Sequence, residues 1–315
     1  MRAPDFWQTK GPISTLLAPL GWLWAIGATM RAQSKPRWRA EVPIVCVGNL
    51  SVGGAGKTPI AGAIAALLPG AHFLSTGYGG SAKGPLLVDP ARHDHELVGD
   101  EPLLLAELAP CWVAKDRVAG ARAAVAAGAR CLIMDDGFQD PSLAKDLSLL
   151  VVDGQAGFGN QRCLPAGPLR ESVAAGLKRA DAVILLGADR HGVAAQVAPL
   201  PVLRAWLEPE AEAQVLVGRK VVAFAGIGRP AKFFHSLEHL GANLVEAYAF
   251  PDHYPYHPAE IAELQRAAAA QHAFLVTTSK DSVRIEAHLR DQLAVLQMDV
   301  VWEDEAVLYG LLPRI

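Results

Sequence analysis

Lys57-Thr58, preceded by glycines at 48, 53, 54 and 56, is a combination suited to phosphate chemistry. Glycines let a loop turn successive backbone N–H groups inward. A lysine in that place reaches the β- and γ-phosphates of a nucleotide, and a hydroxyl after it can ligate Mg²⁺. The usual spacing G-x-x-x-x-G-K-[ST] needs a glycine at position 51, where this chain has Ser51. The loop Ser51-Val52-Gly53-Gly54-Ala55-Gly56 is therefore an irregular version. A glycine turn without a ligand would leave the Lys-Thr pair unexplained, so the stretch reads as a nucleotide-phosphate site.

Acids and a histidine supply further candidates. Asp135 and Asp136 follow the apolar run Cys131-Leu132-Ile133-Met134. Two adjacent carboxylates at a strand end raise each other's pKa unless a cation is present, which points to Mg²⁺. Asp153, after Leu147–Val152, is a rival; Gly137-Phe138-Gln139 leaves more room for a ligand beside the first pair. Asp100 or Glu101 is placed to cap the helix that follows. Arg170-Glu171, closing the stiff loop Leu164–Leu169, could make a forked phosphate contact or a surface ion pair. His253, beside Asp252 in an aromatic, proline-rich loop, is either a general base or an ordinary loop histidine. Gly226-x-Gly228 lacks the third glycine and spaced acid of a dinucleotide turn.

The elements that must hold these residues can be read from periodicity. β-Branched residues from Val42 to Val47 predict a buried strand before the glycine loop, and the Ala-rich Ile60–Leu68 a helix after it, with Pro59 suited to its first turn. Further strands are expected at 71–75, 111–114, 130–135, 147–153 and 181–187, separated by helices near 103–108 and 116–128. Such alternation predicts an α/β fold with a doubly wound, mostly parallel sheet, whose ligands sit at the carboxyl ends of the strands. From Lys220 the pattern restarts with strands at 243–250, 273–278 and 293–301, helices at 231–240 and 258–270, and a short tail from Leu308. The expected organisation is an N-terminal segment 1–40, a larger domain 41–218 and a smaller α/β domain 219–315 that closes the cleft.

Composition narrows the class. At 315 residues, 51% hydrophobic, with a net charge of −3, the chain has ample core and no general pull toward nucleic acid. Its four cysteines are widely spaced, as reduced thiols in a cytosolic protein would be. No heptad seam or isolated apolar stripe indicates an obligate protein partner. Between Lys10 and Arg31 lie 20 uncharged residues, and four of the seven tryptophans (Trp7, Trp22, Trp24, Trp38) fall in or beside this stretch. Arg31, Lys35, Arg37 and Arg39 follow. The length suits a bilayer crossing, yet Pro12, Pro19, Gly21 and Gly27 weaken a span. A nucleotide site disfavours a cleaved export signal. An apolar helix lying in the membrane surface, with the basic cluster on anionic headgroups, is the favoured reading over a spanning or core-covered helix.

Three functions suit a phosphate loop on such a sheet. A membrane-associated switch ATPase of the partitioning or septum-positioning type would carry a lysine just before the double glycine, where Val52 stands. A binding module without turnover needs neither paired acids nor a second domain with a histidine loop. A small-molecule or lipid kinase needs both.

In order, GNLSVGGAGKTP, GDEPLLLA, DDGFQ, LPAGPLRE, FPDHY and TTSKD, behind an apolar N-terminus, resemble the tetraacyldisaccharide 4′-kinase family of lipid A biosynthesis across nearly the whole chain. The resemblance implies ATP- and Mg²⁺-dependent phosphorylation of the 4′-hydroxyl of a tetraacyldisaccharide 1-phosphate at the cytoplasmic face of the inner membrane. It implies a P-loop lobe and a smaller lobe meeting across a cleft. Residues 51–58 would hold the ATP phosphates, with Lys57 on the β/γ oxygens and Thr58 on the metal. Asp100 would be the catalytic carboxylate, working with His253 to activate the acceptor. Glu101, Asp135 and Asp136 match acidic positions near the metal, the resemblance not separating the last two as direct ligand. Asn49, Arg170 and Glu171 match substrate- or phosphate-facing positions. One departure is Thr76-Gly77-Tyr78, where the family has Arg-Gly-Tyr; Lys83 is the nearest substitute cation in sequence.

Overall fold

Apolar runs too short for helices, several of them ending at a glycine or an acid, become strands. The computed structural model describes residues 4–32 and 34–312. Its strands are β1 (Ile44–Gly48), β2 (Ala71–Ser75), β3 (Leu86–Leu87), β4 (Cys111–Val113), β5 (Cys131–Asp135), β6 (Leu147–Asp153), β7 (Ala182–Leu186), β8 (Val202–Pro209), β9 (Lys220–Ala225), β10 (Asn243–Ala249), β11 (Phe274–Thr278), β12 (Ala294–Leu296) and β13 (Met298–Trp302). They form a nine-stranded sheet, β13-β8-β7-β6-β1-β5-β2-β4-β3, and a four-stranded one, β10-β9-β11-β12. From β8 to β4 the large sheet is parallel, with antiparallel strands β13 and β3 at its edges. The small sheet is parallel throughout. The expected α/β fold with a mostly parallel large sheet is found.

Parallel strands are buried on both faces, so alternate residues of one strand enter different cores. In β1, Val45 and Val47 pack with Ile60 and Ile64 of helix α2 (Lys57–Ala66 in this structure), while Ile44 and Cys46 join Ala121, Ala124 and Leu132 on the other side. All four cysteines are free and buried.

Two departures from the sequence reading change the architecture. The single strand expected at 293–301 is two: β12 pairs with β11 in the small sheet, whereas β13 returns to the large sheet and pairs with β8. The run from Ala294 to Trp302 is apolar enough to read as one strand, and periodicity carries no mark of a change of sheet. The expected tail is the helix Glu305–Leu311, capped by Asp304 and burying Leu308 in the large core. Pairing therefore assigns residues from 298 onward to the large sheet, against the 219–315 expectation. β8 was not anticipated; its Arg204 and Glu208 and the prolines around it hide the alternation.

Near the N-terminus, helix α1 (Pro12–Ala32) lies along the loop 160–170. Ser14 Oγ accepts hydrogen bonds from Asn160 Nδ2 (3.0 Å) and Arg162 Nη1 (2.9 Å), and Trp24 Nε1 donates to the Arg170 carbonyl (2.8 Å). Gly21 is needed because a Cβ there would stand 2.9 Å from the Cys163 carbonyl. Away from this seam Leu16, Leu20, Trp22, Leu23, Ile26 and Met30 are exposed, so the protein's own core does not cover the helix.

Candidate active site

β1 delivers the chain into the glycine loop, and α2 begins at Lys57 and Thr58. Gly56 forms the turn between them at φ 85°, a left-handed conformation that glycine adopts without strain, with Leu186 packed where a side chain would go. The loop is braced from behind: Val52 N–H donates to the Pro168 carbonyl (2.8 Å) and Arg170 N–H to the Leu50 carbonyl (2.7 Å). The LPAGPLRE segment thus backs the phosphate loop.

At the mouth of α2, Lys57 Nζ lies 3.4 Å from Asn49 Oδ1 and 3.7 Å from Asp136 Oδ1. Arg170 grips the same Asp136 with a fork, Nη1 to Oδ1 at 2.9 Å and Nη2 to Oδ2 at 3.1 Å. Burial alone would raise the Asp136 pKa, but Lys57 and Arg170 outweigh it and hold the carboxyl below its ordinary value. Asp135 is the opposite case. Its Oδ1 is buried without a hydrogen-bond partner, and burial pushes its carboxyl up to about 7, Lys57 pulling against the rise and Glu101 and Asp136 adding to it.

Among the described residues no three acids, histidines or cysteines gather into a protein-only metal cage. Mg²⁺ is commonly held by one or two protein oxygens together with substrate phosphates. The partnerless oxygen of Asp135, close to a phosphate loop and a lysine, fits that pattern; Asp136 is already engaged by two cations.

Across the cleft, three large-lobe carboxylates meet cations of the small lobe. Asp100 Oδ2 is hydrogen-bonded to His253 Nδ1 (2.7 Å) and to Arg284 Nε and Nη2 (2.9 and 2.6 Å). Glu101 pairs with Lys280 at 2.6 Å. Asp153 is held by Arg229, with Lys232 at 3.5 Å, and the Arg229 Nη2 also donates to the Gly54 carbonyl of the phosphate loop at 2.9 Å. Neither Asp100 nor Glu101 caps its helix. Gly99, at φ 89° and tight against the Tyr78 carbonyl, is the N-cap, and both acids turn outward to the other lobe.

Asp100 is buried, which would raise its pKa, but the bonds from His253 and Arg284 outweigh burial and hold the carboxyl far below its ordinary value. The Asp100 hydrogen bond in turn raises the His253 pKa above its ordinary 6.5, against burial. His253 sits at φ 59°, unusual for a non-glycine residue, and is held there by its N–H on the Gly226 carbonyl (3.0 Å). Asp281 anchors the lobe beneath: its Oδ1 accepts from Gly226 N–H, Tyr256 Oη and Arg284 Nη1 at 2.9, 2.9 and 3.0 Å.

Lys57, Thr58, Asn49, Asp135, Asp136, Arg170, Asp100, Glu101 and His253 are thus drawn to the side on which the two lobes meet. Glu171 is not. It is fully buried, paired with Arg179 and bonded to Gln139 Nε2 at 3.0 Å, so it supports the loop from inside rather than facing a substrate. The cation at the Thr76 turn is Lys115, whose Nζ donates to the Thr76 and Gly77 carbonyls (2.8 and 3.0 Å), where sequence distance had suggested Lys83. Sequence reasoning also missed Arg284, three positions after the TTSKD motif, and Arg117, whose Nη2 bonds the Asp136 carbonyl at 2.9 Å. Arg229 was passed over as well, although it follows the weak Gly226-x-Gly228 turn.

A family model described as tetraacyldisaccharide-1-P 4′-kinase matches residues 13–314. The tetraacyldisaccharide 4′-kinase of Rhodospirillum rubrum is 52% identical over 100% of this chain and 98% of its own length. That of Rhodospirillum centenum is 54% identical over 99% and 96%. The crystal structure of LpxK from Aquifex aeolicus in complex with ATP superposes with a TM-score of 0.78 at 29% identity, covering 95% of this chain and 98% of that one.

Proposed function

The chain belongs to the tetraacyldisaccharide-1-P 4′-kinase family, ATP-using kinases of lipid A biosynthesis, and from that premise we propose how its residues divide the work. The reaction moves the γ-phosphoryl of ATP to the 4′-hydroxyl of a tetraacyldisaccharide 1-phosphate. The loop 51–58 holds the ATP phosphates by its backbone N–H groups and Lys57. Thr58 and Asp135 would hold Mg²⁺, which would neutralise charge on the phosphate oxygens. Asp136, itself held by Lys57 and Arg170, keeps both cations aimed at the transferred group. Phosphoryl transfer needs positioning and charge neutralisation more than covalent chemistry, and this set supplies both.

A sugar hydroxyl is a poor nucleophile, so a proton acceptor matters. His253 has Nδ1 committed to Asp100, which leaves Nε2 to take the hydroxyl proton. Asp100 fixes the tautomer and stabilises the imidazolium that results. The Asp100–His253 bond across the cleft is the observation that carries this reading: acid and base come from different lobes and meet only when the cleft is assembled.

The exposed apolar face of α1 suits a substrate that stays in a membrane. Arg162 and the polar backbone of the loop 160–170 are bonded to that helix. A spanning helix would drag them into hydrocarbon, so α1 lies within the surface of the inner membrane, with the cleft on the cytoplasmic side. The test is incubation with γ-labelled ATP, Mg²⁺ and the disaccharide 1-phosphate in detergent. Label in the lipid at the 4′ position is the expected result. ATP hydrolysis without label in lipid would overturn it in favour of a switch ATPase.

A further inference from the structure

A cavity of about 220 Å³ opens where the end of α1 meets the segment after β5, and none of the residues assigned above to nucleotide, metal or proton transfer lines it. Ala32, Arg39, Phe138, Asp140, Lys145 and Arg179 form much of its wall. Most of its charges are spoken for. Arg39 pairs with Asp146 at 2.6 Å, Arg179 with the buried Glu171, and Asp140 with Arg117 at 3.3 Å. Lys145 is different: its Nζ donates to the Phe138 carbonyl at 3.0 Å and stands 5.9 Å from the Phe138 ring centroid, and among the described residues it has no carboxylate partner. Burial, with Arg179 and Arg117 nearby, presses its pKa down. A half-buried ammonium among other cations is stabilised by any anion that enters.

Position indicates which anion. The exposed side chains Trp22, Ile26 and Met30 lead along α1 to Ala32 at the cavity wall. The basic segment that follows runs along the rim, with the N–H groups of Arg37 and Trp38 on the Ser142 carbonyl (3.0 and 3.2 Å). With the apolar face of α1 in a lipid surface, the cavity mouth stands at headgroup depth.

We infer that this cavity binds a phosphate group borne by a membrane lipid, with Lys145 at its centre and Arg39 and Arg179 beside it. The phosphate belongs either to a bulk anionic phospholipid or to the distal phosphate of the substrate; both sources rest on the membrane placement of α1 proposed above, and the second also on the kinase reading.

The test starts with sedimentation on phosphatidylcholine vesicles, alone and with about 20 mol% phosphatidylglycerol, where Lys145→Met should bind the anionic vesicles about fivefold more weakly than the wild type, the worth of one basic residue at such a surface. Binding to neutral vesicles should not change. Arg39→Gln, at an exposed position, gives a second reading should Lys145→Met melt early. A second arm measures KM for the disaccharide 1-phosphate in neutral detergent micelles. Weaker vesicle binding with unchanged KM assigns the site to bulk lipid. A several-fold higher KM at unchanged kcat assigns it to the substrate phosphate. Both variants behaving as wild type in both arms overturns the inference, and the vesicle arm reads out whether or not the protein turns over.

Discussion

Arg284 donates from both Nε and Nη2 to one oxygen of Asp100, at 2.9 and 2.6 Å, although 184 positions separate the two residues. The same oxygen takes the hydrogen bond of His253 at 2.7 Å. The Arg284 side chain is 1% exposed, and its remaining bonds go to Gly226 and Asp281. Asp100 thus has a counter-ion from the other lobe behind it. The hydrogen bond that His253 donates to Asp100 makes the histidine more basic and the nearby Arg284 guanidinium restrains that effect, so Arg284 tunes the histidine through its charge.

The pH profile should register that tuning. A base must be unprotonated to work, so kcat/KM should rise with pH through a value above histidine's ordinary 6.5. Asp100→Asn removes the largest cause of the upward shift, and the residual activity should rise at lower pH than in the wild type. An NMR titration of His253 that does not move in this variant would contradict the assignment.

Asp100 and His253 should fail as one unit. Each alanine variant is expected to lose on the order of 10²–10⁴ in kcat, and the double variant little more than the worse single one. Multiplying losses in single-turnover assays would show two independent roles.

Arg229 ties the small lobe to the phosphate loop through Gly54 and Asp153. Arg229→Ala should weaken ATP binding about three- to tenfold, since a half-exposed guanidinium bond is worth roughly a kilocalorie per mole. Calorimetric titration of nucleotide gives the answer, and an unchanged Kd would show the contact to be idle.

Glu171 gives a case where stability and substrate contact part. Glu171→Ala leaves Arg179 without its partner inside the fold and should cost about 2–3 kcal/mol in denaturant unfolding, with KM for lipid unchanged at a temperature where the variant is folded. A normal melt with a raised KM would restore the substrate-facing role its motif suggested.

Acid should loosen the cleft. Asp100 and Asp153 both have pKa values below the ordinary 3.8 and both bind small-lobe cations. Their contribution is therefore complete above the ordinary carboxylate range and is lost as pH falls through the folded values. The unfolding midpoint of Asp153→Asn should depend less on pH below about pH 4 than that of the wild type.

Much of this was legible from residue order. Strands such as Ala71–Ser75 and Leu147–Asp153 announced themselves because a parallel strand buried on both faces reads as a mostly apolar run. Lys57 and Asp135 could be placed at the carboxyl end of one sheet by the strands they belong to or follow. Pairing across the cleft was beyond the sequence-derived elements: they did not say that Arg284 would find Asp100 or Arg229 find Gly54. Those partners lie 184 and 175 positions apart and meet only through the relative placement of two lobes. Glu171 was misread because a carboxylate beside an arginine looks the same in sequence whether it faces water or the interior.

The pairing of β8 with β13 has a topological consequence. Pro209 sits opposite Met298, and Glu210 N–H bonds the Gln297 carbonyl at 3.1 Å. Removing everything between would leave two antiparallel strands needing only a tight turn. The small lobe is therefore an insertion at the tip of a β-hairpin, hung from its parent by two adjacent chain crossings. Two side-by-side attachments would permit rotation about the line joining them and oppose twisting. His253 and Arg284 are both carried by the inserted lobe, and Asp100 is the parent residue that both of them bond.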